Sequence, residues 1–149
     1  MTRSPAIRFA CLLAVSLQLT ACSRGSDEEQ IRGVIDAAEA AAEARDTSDF
    51  LKLIADHYRD SEGNDKARLQ QFLRGYFITH PKIELLVRIQ EIRIETAENA
   101  RVRIEFALVG TRVEGDASNA LTGETESLLI DLKRIDSDWR VVRVARDRP

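Results

Sequence analysis

The first half of the chain carries hydrophobic residues at the spacing of amphipathic helices. Ser26 and Glu29 form a capping-box pattern, so a helix is predicted to begin there. The apolar residues that follow recur on one helical face and predict a helix that ends near Arg45: Ile31, Val34, Ile35, Ala38, Ala41 and Ala42.

Two more helices are predicted before Pro81. Residues 46–48 supply caps for a second helix, which ends before Gly63 and carries on one side Phe50, Leu53, Ile54 and Tyr58. Asn64 can cap a third helix, whose apolar stripe consists of Leu69, Phe72, Leu73, Tyr76 and Phe77. Pro81 ends this helix, because a proline ring cannot continue a helix and disfavours helical backbone in the residue before it.

After Pro81 the apolar period changes from about 3.6 residues to about 2, which is typical of half-buried strands. The first strand alternates through Ile83, Leu85, Val87 and Ile89, and its phase slips at Gln90-Glu91, which indicates a β-bulge. Three more strands are predicted around residues 102–108, 128–132 and 139–145. A long polar connection from Gly110 to Thr125 precedes the third strand, and a tight turn at residues 136–138 precedes the last.

This order predicts an α+β fold, with three N-terminal helices packed on a curved, bulged antiparallel sheet of about four strands. The chain of 149 residues is long enough for one such domain, which we assign to residues 27–149. Its 22 Lys and Arg residues are interspersed among 25 Asp and Glu residues, giving a net charge of −3. That balance argues against a nucleic-acid partner.

The N-terminus has the pattern of an export signal. Arg3 and Arg8 precede an uncharged stretch, residues 9–22, whose apolar part is about a dozen residues long. A helix that spans a bilayer needs about 20 apolar residues, so a cleaved signal is favoured over a membrane span.

The signal ends in Leu19-Thr20-Ala21-Cys22, which resembles the lipobox of bacterial lipoproteins. The resemblance implies that residues 1–21 are a signal peptide, cleaved between Ala21 and Cys22, and that Cys22 carries lipid. By resemblance to enterobacterial lipoproteins, Ser23 implies transfer to the periplasmic face of the outer membrane. The alternative is an ordinary secreted protein with a chance cysteine, cleaved nearby.

Processing would have three consequences for the mature chain. Cys11 would leave with the signal and Cys22 would be lipidated, so no thiol would remain for a disulfide or for catalysis. Loss of Arg3 and Arg8 would change the net charge from −3 to −5, which gives no general attraction to anionic lipid. Residues 22–26 would be the lipidated cysteine and a short tether of about 14 Å at most.

The order of elements over residues 28–146 resembles the nuclear-transport-factor-two-like, or cystatin-like cone, superfamily. Within it the chain is similar to small exported lipoproteins of unassigned function, which share the segment from Tyr58-Arg59-Asp60 to Gly63 and a last strand like Trp139-Arg140-Val141-Val142. The superfamily contains isomerases, dehydratases, cyclases and non-catalytic binding domains, so the resemblance implies a fold rather than one function. Its ketosteroid isomerase branch has a tyrosine on the first helix and acidic residues facing the cavity. The matching positions here have neither, and no catalytic residue is assigned.

One group of residues has versatile side chains: His57, Tyr58, Asp60, Tyr76 and His80. On one interpretation Tyr58, Tyr76, His57 and Asp60 form the polar rim of a pocket for a small apolar ligand at the mouth of the cone. On the other, the tyrosines find partners at the rim of the core and His80 lies exposed before Pro81.

No metal or cofactor is predicted. The oxygen-rich residues Asp60, Glu62, Asn64 and Asp65 lack the glycine and glutamate spacing of a calcium-binding EF-hand loop. The two histidines, His57 and His80, form no zinc pattern without a thiol.

Arginines alternate with acidic residues along the predicted strands and are expected on the open face of the sheet: Arg93, Arg101, Arg103, Arg134, Arg140 and Arg143. Cross-strand ion pairs are one interpretation of this pattern. The other is a docking surface for an envelope protein or for a second copy in a homodimer, which Leu86, Val109 and Leu129 on that face favour.

Three classes of function follow from these patterns. The first is a lipid-anchored cell-envelope protein with a non-catalytic binding or assembly role and a membrane contact through Cys22. The second is a carrier or sensor of a small apolar ligand held in the cavity of the cone. The third is an enzyme of the lyase or isomerase type, which would need an ionisable group such as Asp60 or His57 in the pocket.

Overall fold

The computed structural model describes residues 25–111 and 125–147. The elements in chain order are α1 (Asp27–Glu43), α2 (Thr47–Lys52), β1 (Ile54–Asp60), α3 (Lys66–Thr79), β2 (Lys82–Ile94), β3 (Asn99–Thr111), β4 (Thr125–Ile135) and β5 (Asp138–Arg146). This order confirms the α+β class. The predicted signal peptide, Cys22 and most of the predicted connection from Gly110 to Thr125 lie outside the described residues.

The predicted second helix is wrong beyond Lys52. Asp46 caps a helix of six residues, and the chain then enters β1, which pairs in parallel with β5. The spacing of Ile54 and Tyr58 fits either a helical stripe or one face of a strand. Pairing with β5 favours the strand over the helix, because the edge of β5 provides backbone hydrogen-bond partners for these residues. At the start of this pairing, the Val141 N–H donates to the Leu53 carbonyl oxygen at 2.9 Å.

One curved sheet forms the second layer, with the strand order β1-β5-β4-β3-β2 within the described residues. Five strands replace the predicted four, and β1 separates α2 from α3, so the helices do not all precede the strands. The predicted bulge is confirmed, since the register of β2 against β3 shifts between Ile89 and Glu91. The predicted tight turn before β5 is also confirmed, with positive φ at Asp136 and Ser137 as in a type I′ hairpin.

Helix α1 begins and ends close to its predicted bounds and covers one edge of the sheet. The capping box of Ser26 and Glu29 is present, and Ile31 and Ile35 enter the main core against the concave face of the sheet. Along the free edge of β2, the Leu85 N–H donates to the Glu43 carboxylate at 3.0 Å. The Glu39 carboxylate accepts a backbone hydrogen bond from Val87. Two glutamates one helical turn apart therefore satisfy alternate donors of an edge strand, which discourages pairing with another chain.

The N-terminus of α1 is fixed to the β4–β5 hairpin by an arginine. Arg134 pairs with Asp27, and its guanidinium lies 4.7 Å from the ring centre of the buried Trp139. The prediction that Arg134 lies on the open face is therefore wrong. Arg134 is separated from Ile130 and Leu132 by even numbers of positions along β4, so all three side chains point to the same face of the sheet. That face is the one that the helices cover.

Arg101 and Arg103 lie on the open face of the sheet, whereas Arg140 on β5 contacts α2. Arg101 pairs with Asp131 at 2.6 Å and Arg103 with Asp147 at 2.7 Å, in agreement with the ion-pair interpretation. Arg140 instead donates to the carbonyl oxygen of Lys52 at the end of α2. Lys52 ends α2 just before β1, and β1 pairs with β5. This pairing places the Lys52 oxygen within reach of the Arg140 side chain, which therefore contacts the helical layer.

Candidate functional site

A cavity of about 240 Å³ lies between the helices and the concave face of the sheet, and we call it the inner cavity. Residues from every helix and strand line it, among them Ala38, Phe50, Leu69, Val87, Ile104 and Val141. Among the described residues that line it, all but Glu39 and Tyr58 are apolar. A concave, apolar site with two polar groups is the usual composition of a small-molecule pocket.

Tyr58 projects from β1 at the boundary between the inner cavity and a second, more polar one. It is only 3% exposed. Burial, followed by the nearby Asp60 carboxylate, raises the pKa of the Tyr58 phenol to about 12. Below that pH the hydroxyl remains a neutral donor and acceptor at the edge of an apolar space.

The second cavity, which we call the outer cavity, has a volume of about 520 Å³. It shares Tyr58, Leu69, Phe106, Leu128 and Val144 with the inner cavity. Its other walls carry charges of both signs: Asp60, Glu62, Arg68, Glu126 and Arg146. The two cavities therefore form an apolar interior with a polar entrance, and Tyr58 stands between them.

Asp60 lies in the outer cavity, where it holds a turn together. Its carboxylate accepts from the Glu62 N–H at 2.9 Å and from the Asn64 N–H and side-chain amide at 2.8 Å each. Burial acts to raise the pKa of the Asp60 carboxyl, but these hydrogen bonds outweigh it and the net effect lowers the pKa. Gly63 completes the turn at a φ of +85°. A carboxylate held ionised in this way suits a structural role better than proton transfer near neutral pH.

The other predicted pocket residues lie elsewhere. His57 faces a separate hollow that includes Lys66, Lys133 and Arg140. Tyr76 lies on α3, and its ring stacks 3.9 Å from that of His80. The structure thus brings Tyr58 and Asp60 together at one entrance and separates them from His57 and Tyr76.

The expectation that His80 lies exposed is wrong. Its relative exposure is 7%. Its Nδ1 lies 2.9 Å from the Tyr76 carbonyl oxygen and 3.0 Å from the Thr79 hydroxyl. Because Pro81 ends the helix here, the His80 ring folds back over the last turn and satisfies polar groups that the helix leaves open.

Glu39 is the site residue that sequence reasoning missed. Burial, then the carboxylates of Glu43 and Asp36, raise the pKa of the Glu39 carboxyl, although the hydrogen bond from Val87 acts to lower it. The sequence does contain a signal for this position. Ile31, Ile35 and Glu39 follow one another at intervals of four, so Glu39 continues the buried ridge of α1.

Neither a metal site nor a membrane-spanning helix is found in the part of the chain that the structure describes. Its His, Cys, Asp and Glu side chains form no group of three or more placed to hold a metal ion. None of its helices combines the length and apolar character needed to cross a bilayer.

Solved structures resemble this one closely in fold and distantly in sequence. A domain of unknown function with a cystatin-like fold from Nostoc punctiforme matches with a TM-score of 0.64 and 16% identity, over 83% of this chain and 77% of that one. A protein of unknown function from Shewanella oneidensis, described as NTF-2 like, matches at 0.60 and 17%, over 81% and 98%. A ketosteroid isomerase-like protein from Erwinia carotovora matches at 0.62 and 17%, over 84% and 100%.

These likenesses place the domain in the nuclear-transport-factor-two-like, or cystatin-like, fold. A scan against protein-family models finds no match, and a search of curated proteins finds none. Identities below one fifth to the three structures support the fold alone, and one fold can host unrelated functions. Function must therefore be argued from the two cavities and their polar groups.

The Tyr58 phenol is expected to ionise at unusually high pH. A Tyr76→Phe variant leaves Tyr58 as the only tyrosine of the two in the chain. Its phenolate absorbance should appear with a midpoint near pH 12, against about 10 for an unperturbed tyrosine. Because folding raises this pKa, stability should fall as the pH rises from about 10 to about 12. The same variant unfolded in urea is the control, and equal midpoints in the two states would contradict the buried placement.

Proposed function

We propose that this protein is a lipid-anchored cell-envelope protein that binds a small, mostly apolar ligand without transforming it. The observation that supports the binding role is the inner cavity, which is apolar except at Glu39 and Tyr58. A guest would gain from removal of its apolar surface from water, while the Tyr58 hydroxyl and the Glu39 carboxyl would fix its orientation.

A binding role is favoured over catalysis by the state of the ionisable groups. The pKa of the Asp60 carboxyl is lowered by hydrogen bonds of its own turn, and the Glu39 carboxylate accepts from the backbone of β2. Asp60 therefore supports the fold, and Glu39 both supports β2 and lines the inner cavity. Tyr58, with a pKa near 12, exchanges protons poorly near neutral pH.

The anchor rests on the sequence. Leu19-Thr20-Ala21-Cys22 supports lipidation of Cys22 and release of residues 1–21. Ser23 supports a location on the periplasmic face of the outer membrane. Helix α1 begins at Asp27, five positions after Cys22, so the domain would lie close to the membrane that holds the lipid.

Assembly through the open face of the sheet is a second candidate function. Leu86 is 69% exposed on the edge strand β2, beside a surface whose arginines are largely paired. An apolar side chain in that setting favours contact with an envelope protein or a second copy of the chain.

One preparation tests the anchor and the ligand together. The full chain and a Cys22→Ala variant would be expressed in a Gram-negative host, extracted in mild detergent and weighed by mass spectrometry under denaturing and native conditions. We expect the denatured wild type to begin at a lipidated Cys22, and the variant to lack lipid. We expect the native wild type to carry an additional small-molecule mass.

Each part of the proposal can fail separately in this preparation. A soluble wild-type protein cleaved at another residue would overturn the anchor. A native mass equal to that of the bare chain, unchanged after incubation with membrane extracts, would overturn the ligand. A native mass of two chains would support self-assembly of the chain.

A further inference from the structure

A third hollow, between α2, α3 and β5, is lined mainly by positive charge. Its volume is about 460 Å³, and we call it the basic groove. Its cationic walls are Lys52, Lys66, Arg74 and Arg140, and the hydroxyl residues Thr47 and Ser48 complete them. Among the described residues that line the groove, none is acidic. Ammonium, guanidinium and hydroxyl groups around one space are the donors that recognise a phosphate.

The acidic partners of these cations lie outside the groove and in solvent. Lys52 pairs with Asp49 at 2.6 Å and Lys66 with Asp56 at 2.9 Å. The Asp49 and Asp56 side chains are exposed. Ion pairs of this kind contribute little and are screened by salt, so the exposed Lys52 ammonium can turn toward a phosphate. Within the described residues, Arg74 forms no ion pair with a carboxylate.

Two of the cations are held in place by backbone groups. The Lys66 Nζ donates to the Ile54 carbonyl oxygen at 2.7 Å, and Arg140 donates to the carbonyl oxygen of Lys52. The Lys52 oxygen belongs to the last residue of α2, and the Ile54 oxygen to the first residue of β1. The strand that the sequence did not predict therefore holds Lys66 in the groove.

The groove lies at the end of the domain where the anchor would attach. Lys52 and Arg140 also line the adjoining hollow, whose wall includes Gly25. Gly25 lies three positions after Cys22, which is about 10 Å of fully extended chain at most. A lipid on Cys22 would thus bring the groove to the level of the phosphates of the membrane surface.

We propose that the basic groove binds the phosphate of an anionic lipid headgroup and so sets the orientation of the domain on its membrane. This inference rests on the proposed anchor at Cys22. It explains how a domain of net negative charge can face an anionic surface: the charge that matters is local, because ionic screening restricts surface interactions to about 8–10 Å.

The four lysines of the chain supply a test with a control built into the same molecule. Lys52, in the groove, has a side chain 71% exposed and pairs with Asp49. Lys82, the first residue of β2 and outside the groove, has a side chain 72% exposed and pairs with Glu84 at 2.8 Å. Because the two side chains match in exposure and each has one acidic partner, a vesicle-dependent change in the ratio of their reaction rates with an amine reagent reports that a membrane covers Lys52 and not Lys82.

The lipidated full chain would be placed in vesicles of phosphatidylcholine, with or without phosphatidylglycerol, and labelled with the reagent. We expect the anionic vesicles to slow labelling of Lys52 several-fold relative to Lys82, and the neutral vesicles to leave the ratio unchanged. An Arg74→Gln variant should lose much of this protection. Arg88→Gln, which removes an exposed arginine of β2, should keep it.

The outcomes separate the two proposals and the two sources of phosphate. Vesicles that float without the protein would overturn the anchor. Protein that floats but shows equal labelling ratios in both lipids would overturn the groove alone. Protection of Lys52 by inorganic phosphate in neutral vesicles, with none from phosphatidylglycerol, would assign the groove to a soluble phosphate compound and overturn the headgroup.

Discussion

Replacing Ala38 with leucine is expected to abolish most binding of a neutral apolar probe such as N-phenyl-1-naphthylamine. Ala38 is half-buried and lines the inner cavity from α1. A leucine there keeps a high helix propensity and projects its added carbons into the cavity. Forcing a guest into space already filled costs about 1–3 kcal/mol, so we expect binding to weaken about tenfold or more.

The matched control for this substitution lies one residue away. Ala37 is exposed on the same helix, so Ala37→Leu adds the same atoms outside the cavity and should leave probe binding unchanged. Fluorescence titration measures both affinities, and thermal unfolding checks that both variants fold. Equal affinity in the two variants would mean that the probe binds elsewhere, and the inner cavity would lose its proposed role.

Replacing Leu132 with alanine is expected to cause the largest loss of stability. Leu132 is 1% exposed in the main core, where it pairs across the sheet with Ala100 on β3 and Val141 on β5. Removal of a buried leucine side chain leaves a cavity and costs about 2–5 kcal/mol. A loss near the middle of that range, about 3 kcal/mol, would consume a large part of the stability of a small domain.

Urea unfolding followed by fluorescence of Trp139, the single tryptophan of the chain, measures this loss. Leu86→Ala provides the control, because the same atoms are removed from an exposed position on β2. That variant should change the free energy of unfolding by less than about 0.5 kcal/mol. Similar losses in the two variants would contradict either the placement of Leu132 in the core or the exposure of Leu86.

The site could be predicted only in part. The sequence predicts Tyr58 as a polar group at the cavity entrance, but its predicted grouping with His57 and Tyr76 depends on a helix over residues 50–58. In a strand, neighbouring side chains point to opposite faces, so His57 and Tyr58 diverge. Glu39 was overlooked because a carboxylate was not expected on the buried ridge of α1. The burial of Glu39 depends on β2, which is distant in the sequence and donates a backbone hydrogen bond from Val87 to the Glu39 carboxylate.

The sequence by itself determined the elements whose signals are local. The capping box begins α1, Pro81 ends α3, the slip in alternation marks the bulge of β2, and the turn at residues 136–138 joins β4 to β5. Each depends on residues within a few positions of one another. The tertiary structure alone decided that residues 54–60 form a strand, that Arg134 faces the helices, and that four cations share one groove. These features depend on backbone partners far away in the chain, which local spacing does not encode.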